Sequence, residues 1–275
     1  MYSILNYMIP KIIHYCWFGR NPLPSLAVRC IESWKKYCPD YEIKEWNEDN
    51  FDVNIIPYTR EAYQARKYAF VSDYARFWIL YKYGGLYFDT DVEILKPLDG
   101  IIARGPFMGC ERDASDTSVA SVAPGLGLGV NSGLGLYKEI LDLYATLHFL
   151  RPDGTLNIKT VVAYTTEILC KHGLRNVPEI QECAGVWIYP KEYFCPKDYK
   201  TNITIITPKT LTMHHYDASW VSEEIKYARE LRRKLFFLPK DLRGYIAMFI
   251  AISRKKGILI AIKNMKDWFV RKMNS

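Results

Sequence analysis

"FVSDYARFWILYKYGGLYFDTDVEIL", residues 70–95, sets a helix-patterned run against a strand-patterned one across a pair of glycines. Tyr74, Phe77, Trp78 and Tyr81 recur at i, i+3, i+4 and i+7, one apolar stripe, and predict a helix over 72–83. Ser72 is a residue type favoured at a helix N-cap, and Gly84-Gly85 is a good stop. Leu86-Tyr87-Phe88 then reads as a strand that runs directly into Asp89-Thr90-Asp91. Aspartate is depleted in strands and is rarely buried without a partner. Two carboxylates at this place therefore call for a positive partner.

The flanking sequence supplies the rest of the layout. "PKIIHYCWF" (10–18) and "YEIKEW" (41–46) read as strands, and 25–37 and about 59–68 as helices. Strand, helix, strand, two helices, strand is an α/β order with a mostly parallel sheet. Ligands of such sheets bind beyond the carboxyl ends of the strands, where Asp89 and Asp91 fall. Residues 134–149 and 157–172 read as helices, 186–189, 203–206 and 211–215 as short strands, and 221–273 as mainly helical. The Gly-rich "SVAPGLGLGVNSGLG" (121–135) reads as a loop. It never satisfies G-x-G-x-x-G, and no G-K-[ST] phosphate loop occurs, so both nucleotide fingerprints are excluded. The simplest parse is one domain over 1–220 with a basic helical extension over 221–275.

Composition narrows the function. The chain has 275 residues, 49% hydrophobic and 24% charged, as globular proteins do. Aromatic residues reach 15%, which suits a flat or ring-shaped ligand as well as an ordinary core. The net charge of +7 is split, because residues 226–275 carry 14 Lys/Arg against three acids and the rest is net acidic. A nucleic-acid binder places its cations with its aromatics. Here the aromatic-rich body is acidic, so nucleic acid is excluded as a partner. The tail mixes cations with "YIAMFIAI" and "GILIAI", a pattern expected of peripheral contact with an anionic membrane. Helices that merely cover a sheet and expose lysines are the plain alternative. The seven cysteines form no C-x-x-C pair, so neither a zinc ribbon nor a redox motif is present. The opening residues lack a charged leader and a cleavage site, and a cytoplasmic protein with reduced thiols, peripheral on the inner face of the membrane, is expected.

With fifteen aspartates in the chain, roughly one D-x-D arises by chance, and a polar strand-end turn would explain it. At strand spacing the two carboxylates point the same way and repel. A hard divalent cation, Mn²⁺ or Mg²⁺, held between them and a diphosphate would supply the positive partner.

The run 70–99, with "IPKIIHYCWFG" (9–19) before it and "MHHYDASW" (213–220) after it, resembles glycosyltransferase family 32. That family includes capsule and lipopolysaccharide sugar transferases and fungal α-1,6-mannosyltransferases, and is similar to the catalytic domain of large glucosylating toxins. The resemblance implies a GT-A fold and a retaining, metal-dependent hexosyltransferase. It would move sugar from a nucleotide-sugar donor, with a UDP-sugar favoured, to a glycan or lipid-linked oligosaccharide. It implies that Asp91 ligates the metal and that Asp89 contacts ribose, sugar and, through water, the metal. Ser72, Asp73 and Arg76 match a Ser-Asp-x-x-Arg motif, with Asp73 on ribose or base hydroxyls and Arg76 on sugar and phosphate. Tyr87 would face the ribose, and Trp17 would stack on the base. His214 is expected as ligand or phosphate contact and Trp220 as a diphosphate donor. Asn131 would touch the sugar, and Glu111 would line the acceptor side. His14 is read as a buried structural histidine. With no obvious enzyme nucleophile, same-face attack is the expected route to retention. A metal-dependent nucleotidyltransferase or sugar-nucleotide hydrolase could use the same acidic pair, and a non-catalytic basic binding protein stays open beside them.

Overall fold

The computed structural model of the protein describes residues 8–115, 118–198, 201, 203–217 and 223–262. The chain divides into two compact units, one ending at Asp217 and one formed by the residues after it. The first unit opens with β1 (Ile12–Cys16), α1 (Ser25–Tyr37), β2 (Glu42–Trp46), α2 (Pro57–Gln64), α3 (Tyr68–Tyr83) and β3 (Gly85–Tyr87). It continues through β4 (Val92–Ile94), α4 (Asp99–Ile102), β5 (Phe107–Arg112), β6 (Ser121–Val122) and β7 (Leu128–Val130). It closes with α5 (Gly135–Ala145), α6 (Val161–Lys171), β8 (Gln181–Cys183), β9 (Val186–Tyr189), α7 (Lys191–Phe194) and β10 (Thr212–His214). The second unit holds α8 (Glu223–Lys234) and α9 (Lys240–Lys256).

Among the described residues an eight-stranded sheet runs β2-β1-β3-β7-β5-β9-β8, with β6 added to β5, and β10 and β4 form a separate two-stranded sheet. β2, β1 and β3 are parallel, as the alternating strands and helices of 10–88 predict, and so are β5 and β9. The other ladders are antiparallel, so antiparallel pairings join the parallel part of the sheet in this α/β fold. The reason is local. Among the described residues the chain from β5 to β7 contains no helix, and without a crossover β7 runs against both its neighbours.

Alternation along the strands decides which layer each residue serves. Ile13, Tyr15, Leu86 and Phe88 join the core with α1, whereas Cys16 and Tyr87 join the core with α2, α3, α5 and α6. Asp89, two residues past Tyr87, follows it towards α3. Helix α3 starts four residues earlier than its apolar stripe predicts. Ser72 therefore lies inside the helix, where its hydroxyl donates to the Tyr68 carbonyl, and is not the N-cap. Gly84 and Gly85 have φ of 65° and 99°, a left-handed path that ends α3 and starts β3 without a loop. A side chain on Gly85 would meet the Ile12 carbonyl, so the tight α3–β3 corner requires glycine there. The strand expected at 203–206 is absent apart from a single bridge at Thr204. Ile203, Ile205 and Ile206 are 59%, 67% and 59% exposed, with no apolar face to pair them against.

Candidate active site

Asp89-Thr90-Asp91 is a turn beyond the end of β3, closed by the Val92 amide donating to the Asp89 carbonyl at 3.0 Å. The two carboxylates consequently do not share one pleated face, and each has its own partners. The Asp89 amide donates to the Gly125 carbonyl, which fastens the Gly-rich loop over the turn. Val92 and Ile94 carry on as β4, tied to α1 by Trp34 Nε1 donating to the Val92 carbonyl (2.7 Å) and the Ile94 amide donating to Ser33 Oγ (2.9 Å).

The positive partner of Asp89 is Arg76. From α3 its Nη2 reaches Asp89 Oδ1 at 3.1 Å and Asp73 Oδ1 at 3.2 Å, while Nε donates to the Ser72 carbonyl. The Tyr87 hydroxyl donates to the same Asp89 oxygen at 3.1 Å, and the guanidinium lies 5.1 Å from the Tyr87 ring centre. Oδ2 of Asp89 lies outside these bonds, close to Gly125. Burial raises the Asp89 carboxyl above its ordinary value despite the Arg76 charge, and pushes Asp73 up to about 7. Arg76, also buried, has its pKa raised by the carboxylates it serves, against its own loss of hydration.

This geometry bears on the roles expected of Arg76, Asp73, Tyr87 and Ser72. Arg76, Asp73 and Tyr87 are 3%, 8% and 1% exposed, and their polar atoms are engaged with one another and with Asp89. They form the support beneath Asp89, with Arg76 Nη1 lying towards Gly125 on the side of Asp89 Oδ2. A buried guanidinium needs complete pairing, and the two carboxylates provide it. Ser72 likewise turns its hydroxyl to its own helix.

Asp91 is positioned from the other side. β10 pairs with β4 so that His214 stands opposite Val92, and His214 Nε2 meets Asp91 Oδ1 at 3.0 Å. The Asp217 amide donates to Asp91 Oδ2 at 2.9 Å, and the His215 amide donates to the Asp91 carbonyl. Tyr216, between them, has a φ of 56°, a costly conformation for a bulky residue. That backbone turn lets two successive segments of the loop bond Asp91. Burial works to raise the Asp91 carboxyl, yet the charge and hydrogen bond of His214 hold it below the usual range. Burial conversely works to lower the His214 pKa, and the Asp91 carboxylate raises it. Glu111 on β5 lies in the field of His214, with its own carboxyl raised by burial. His215 takes the alternate face and meets Glu93 at 2.8 Å.

Trp17 follows β1 directly. Continuing the β1–β3 register one pair past Tyr15 sets Cys16 level with Asp89, so Trp17 belongs to the same end of the sheet. Its ring is half-buried, and its Nε1 donates to the Asn21 carbonyl at 2.6 Å. Asn131 is misplaced. Val130 pairs with Gly85, so Asn131 lies at the opening end of β3, about 16 Å along the strands from Asp89, and donates to the Met8 carbonyl. It cannot touch a ligand at the turn. Trp220 lies outside the described residues. His14 is structural, buried between Trp46, whose Nε1 donates to Nδ1, and the Gly84 carbonyl, which faces Nε2.

Among the described residues no three His, Cys, Asp or Glu side chains already surround a common point. The donor set still fits a hard divalent cation. Asp91 Oδ1 is bound only to a histidine, Asp89 keeps Oδ2 outside its Arg76 and Tyr87 bonds, and His214 has a buried Nδ1 with no partner among the described residues. Carboxylate oxygens, with the remaining positions left to phosphate and water, are the ligand chemistry such ions take, whereas the unpartnered His214 Nδ1 lies on the ring edge away from Asp91. Sequence reasoning missed the Gly125 carbonyl and the Asp217 amide, because main-chain atoms carry no residue-type signal. A glycine-rich loop with no fingerprint of its own was the one available hint of Gly125.

Residues 24–108 match the family model described as glycosyltransferase sugar-binding region containing DXD motif. Inositol phosphoceramide mannosyltransferase 3 of Schizosaccharomyces pombe is 26% identical over 198 residues, covering 70% of this chain and 53% of the relative. An uncharacterized glycosyltransferase, L373, of Acanthamoeba polyphaga mimivirus is 35% identical over 106 residues, 36% of this chain and 42% of the relative. The chain spans about half the length, or less, of the curated relatives it matches. Among solved structures, PaToxG glycosyltransferase aligns with a TM-score of 0.45 at 18% identity, over 59% of this chain and 69% of that one. The turn that joins Arg76 to His214 thus lies within residues 24–108, the stretch that is similar to the sugar-binding region of the DXD-containing glycosyltransferases.

Proposed function

We propose that the chain transfers a hexose from a nucleotide-diphosphate sugar to a glycan or lipid-linked glycan, with retention of configuration, in cell-surface polysaccharide synthesis at the cytoplasmic side of a membrane. The observation that carries this reading is the pair of separately anchored carboxylates at the carboxyl end of β3. Asp89 is fixed by Arg76 and Tyr87, and Asp91 by His214 and the Asp217 amide. A structural turn needs neither anchor.

Asp91, Asp89 and His214 would hold the divalent cation, Mn²⁺ or Mg²⁺. When bound, the cation supplies charge neutralisation for the departing diphosphate. The protein's own part is orientation. Arg76 occupies Asp89 Oδ1 and thereby leaves Oδ2 for ligand. β4 and β10 carry Asp91 and His214 as one rigid pair. Trp17 presents an indole face on which a nucleobase can stack, worth about 1–3 kcal/mol. Glu111 lies on the acceptor side. The names of the fungal relatives favour mannose as the sugar and a lipid as acceptor, so GDP-mannose stands beside the UDP-sugar expected from sequence. Same-face attack is the route we favour over double displacement, since the sequence offers no obvious enzyme nucleophile.

Calorimetric titration of UDP and GDP, with and without Mn²⁺, on the wild type and Asp91→Ala tests the reading. Metal-dependent binding of one nucleotide, lost in the variant, is the expected result and names the donor base. Binding indifferent to metal and to the substitution would withdraw it. Rapid release of nucleotide diphosphate from the sugar donor with water alone would favour a hydrolase.

A further inference from the structure

We propose that the second unit docks on an anionic lipid bilayer through the tip of its helical hairpin. α8 and α9 meet along Ala228, Ala247 and Ala251, with Tyr227, Leu231 and Leu235 around that seam. Several larger apolar side chains lie outside that seam. Phe236 and Phe237, in the turn between the helices, are 76% and 68% exposed, and Leu242 in the first turn of α9 is 46% exposed. Their two rings stand 6.1 Å apart. Adjacent open phenylalanines mark a surface that something covers.

The surrounding charge says what. Arg232, Arg233 and Lys234 immediately precede the phenylalanines and are exposed. Residues 231–262 contain eight Lys/Arg and a single acid, Asp241. An aromatic wedge collared by cations complements hydrocarbon beneath anionic headgroups. A second copy of the hairpin would oppose that excess of positive charge with the same excess. Among the described residues no helix is long and apolar enough to cross a membrane, so the contact is insertion at the surface.

The test is flotation of the full chain with phosphatidylglycerol-containing and with neutral phosphatidylcholine vesicles. The wild type is expected to float with the anionic vesicles alone and to be released by salt. Phe236→Ser/Phe237→Ser should abolish binding, and Arg232→Gln/Arg233→Gln should weaken it by about fivefold per charge removed. A Phe237→Trp variant should shift its emission to the blue on anionic vesicles. Equal binding to both vesicle types, or undiminished binding by both double variants, would overturn the proposal. So would a dimer by light scattering that the phenylalanine variant converts to monomer, which would assign the face to a second copy. Nucleotide binding by these variants is expected to match the wild type, so the result is independent of the donor-site reading.

Discussion

Protonating His14 would break its contact with Trp46 while leaving the one to the Gly84 carbonyl. Its Nδ1 accepts from the Trp46 indole, an acceptor that the imidazolium does not have, and the ring is 1% exposed. Burial, helped by the Lys44 charge, lowers its pKa from 6.5 to about 4, although the Gly84 carbonyl acts the other way. Between those two values the unfolded chain binds the proton and the folded chain does not. Stability should therefore be undiminished by this group above pH 6.5 and fall as pH drops through the window, by about 3 kcal/mol in full. Urea unfolding across the window checks it, and His14→Gln should remove close to one proton from the slope. A second prediction concerns Arg76, where one nitrogen serves the buried Asp73 and the partly buried Asp89. Arg76→Met should cost about 3–5 kcal/mol, since it strands both. Adding Asp73→Asn should recover part of that loss, and a double-mutant cycle by urea unfolding measures how much. At this scale the sequence was legible for residue identity and not for direction. The spacing of Asp73 and Arg76 placed both near the acidic turn. Whether they faced the ligand or supported Asp89 depended on burial, which no local pattern encodes. Asn131 failed for a related reason, because strand register decides which end of β7 it occupies.

Elements hold the turn at four places: α3 through Arg76, the α1–β4 contact through Trp34 and Ser33, the loop between β6 and β7 through Gly125, and β10 with the residues after it through His214 and Asp217. The third is the most exacting. A side chain on Gly125 would overlap Asp89 Oδ2 and come within 3.5 Å of Arg76 Nη1. Asp89 is pinned by Arg76 and Tyr87, so it cannot swing aside cheaply. Gly125→Ala is expected to cost about 1–3 kcal/mol of stability from overpacking. It should also lower turnover by about 10²-fold, the usual effect of moving a catalytic group by about an ångström. Gly100→Ala, where a methyl meets nothing within 4 Å, is the control and should change neither. Activity and unfolding measured on both variants decide it. α1, β2, β3 and β9 were readable because each has a clean period or an unbroken β-branched and aromatic run bounded by Gly, Pro or polar residues. Residues 203–206 had the composition of a strand but no partner to bury against. The turn at 89–91 looked like strand because its neighbours do, and only the Val92–Asp89 hydrogen bond makes it a corner.

Across the whole molecule, the two compact units have separate apolar clusters of very different size. The first unit has two extensive ones on the faces of its sheet, and the second a seam centred on three alanines. The charge division between tail and body was plain in the sequence, whereas the packing of each unit was not, since it depends on contacts between residues far apart in the chain. Among the described residues the proposed donor site lies within the first unit. Nucleotide with Mn²⁺ should therefore stabilise that unit alone. At a hundredfold excess over Kd the gain is about 2.7 kcal/mol. For a unit of this size that raises its midpoint by about 5–10 °C. In differential scanning calorimetry the transition of the first unit should move upwards while that of the second stays in place. A chelator should return the first transition to its ligand-free position, and Asp91→Ala should fail to shift at any nucleotide concentration. An equal shift of both transitions would mean that the units unfold as one. A shift that survives the chelator would mean that the nucleotide binds without the acidic turn.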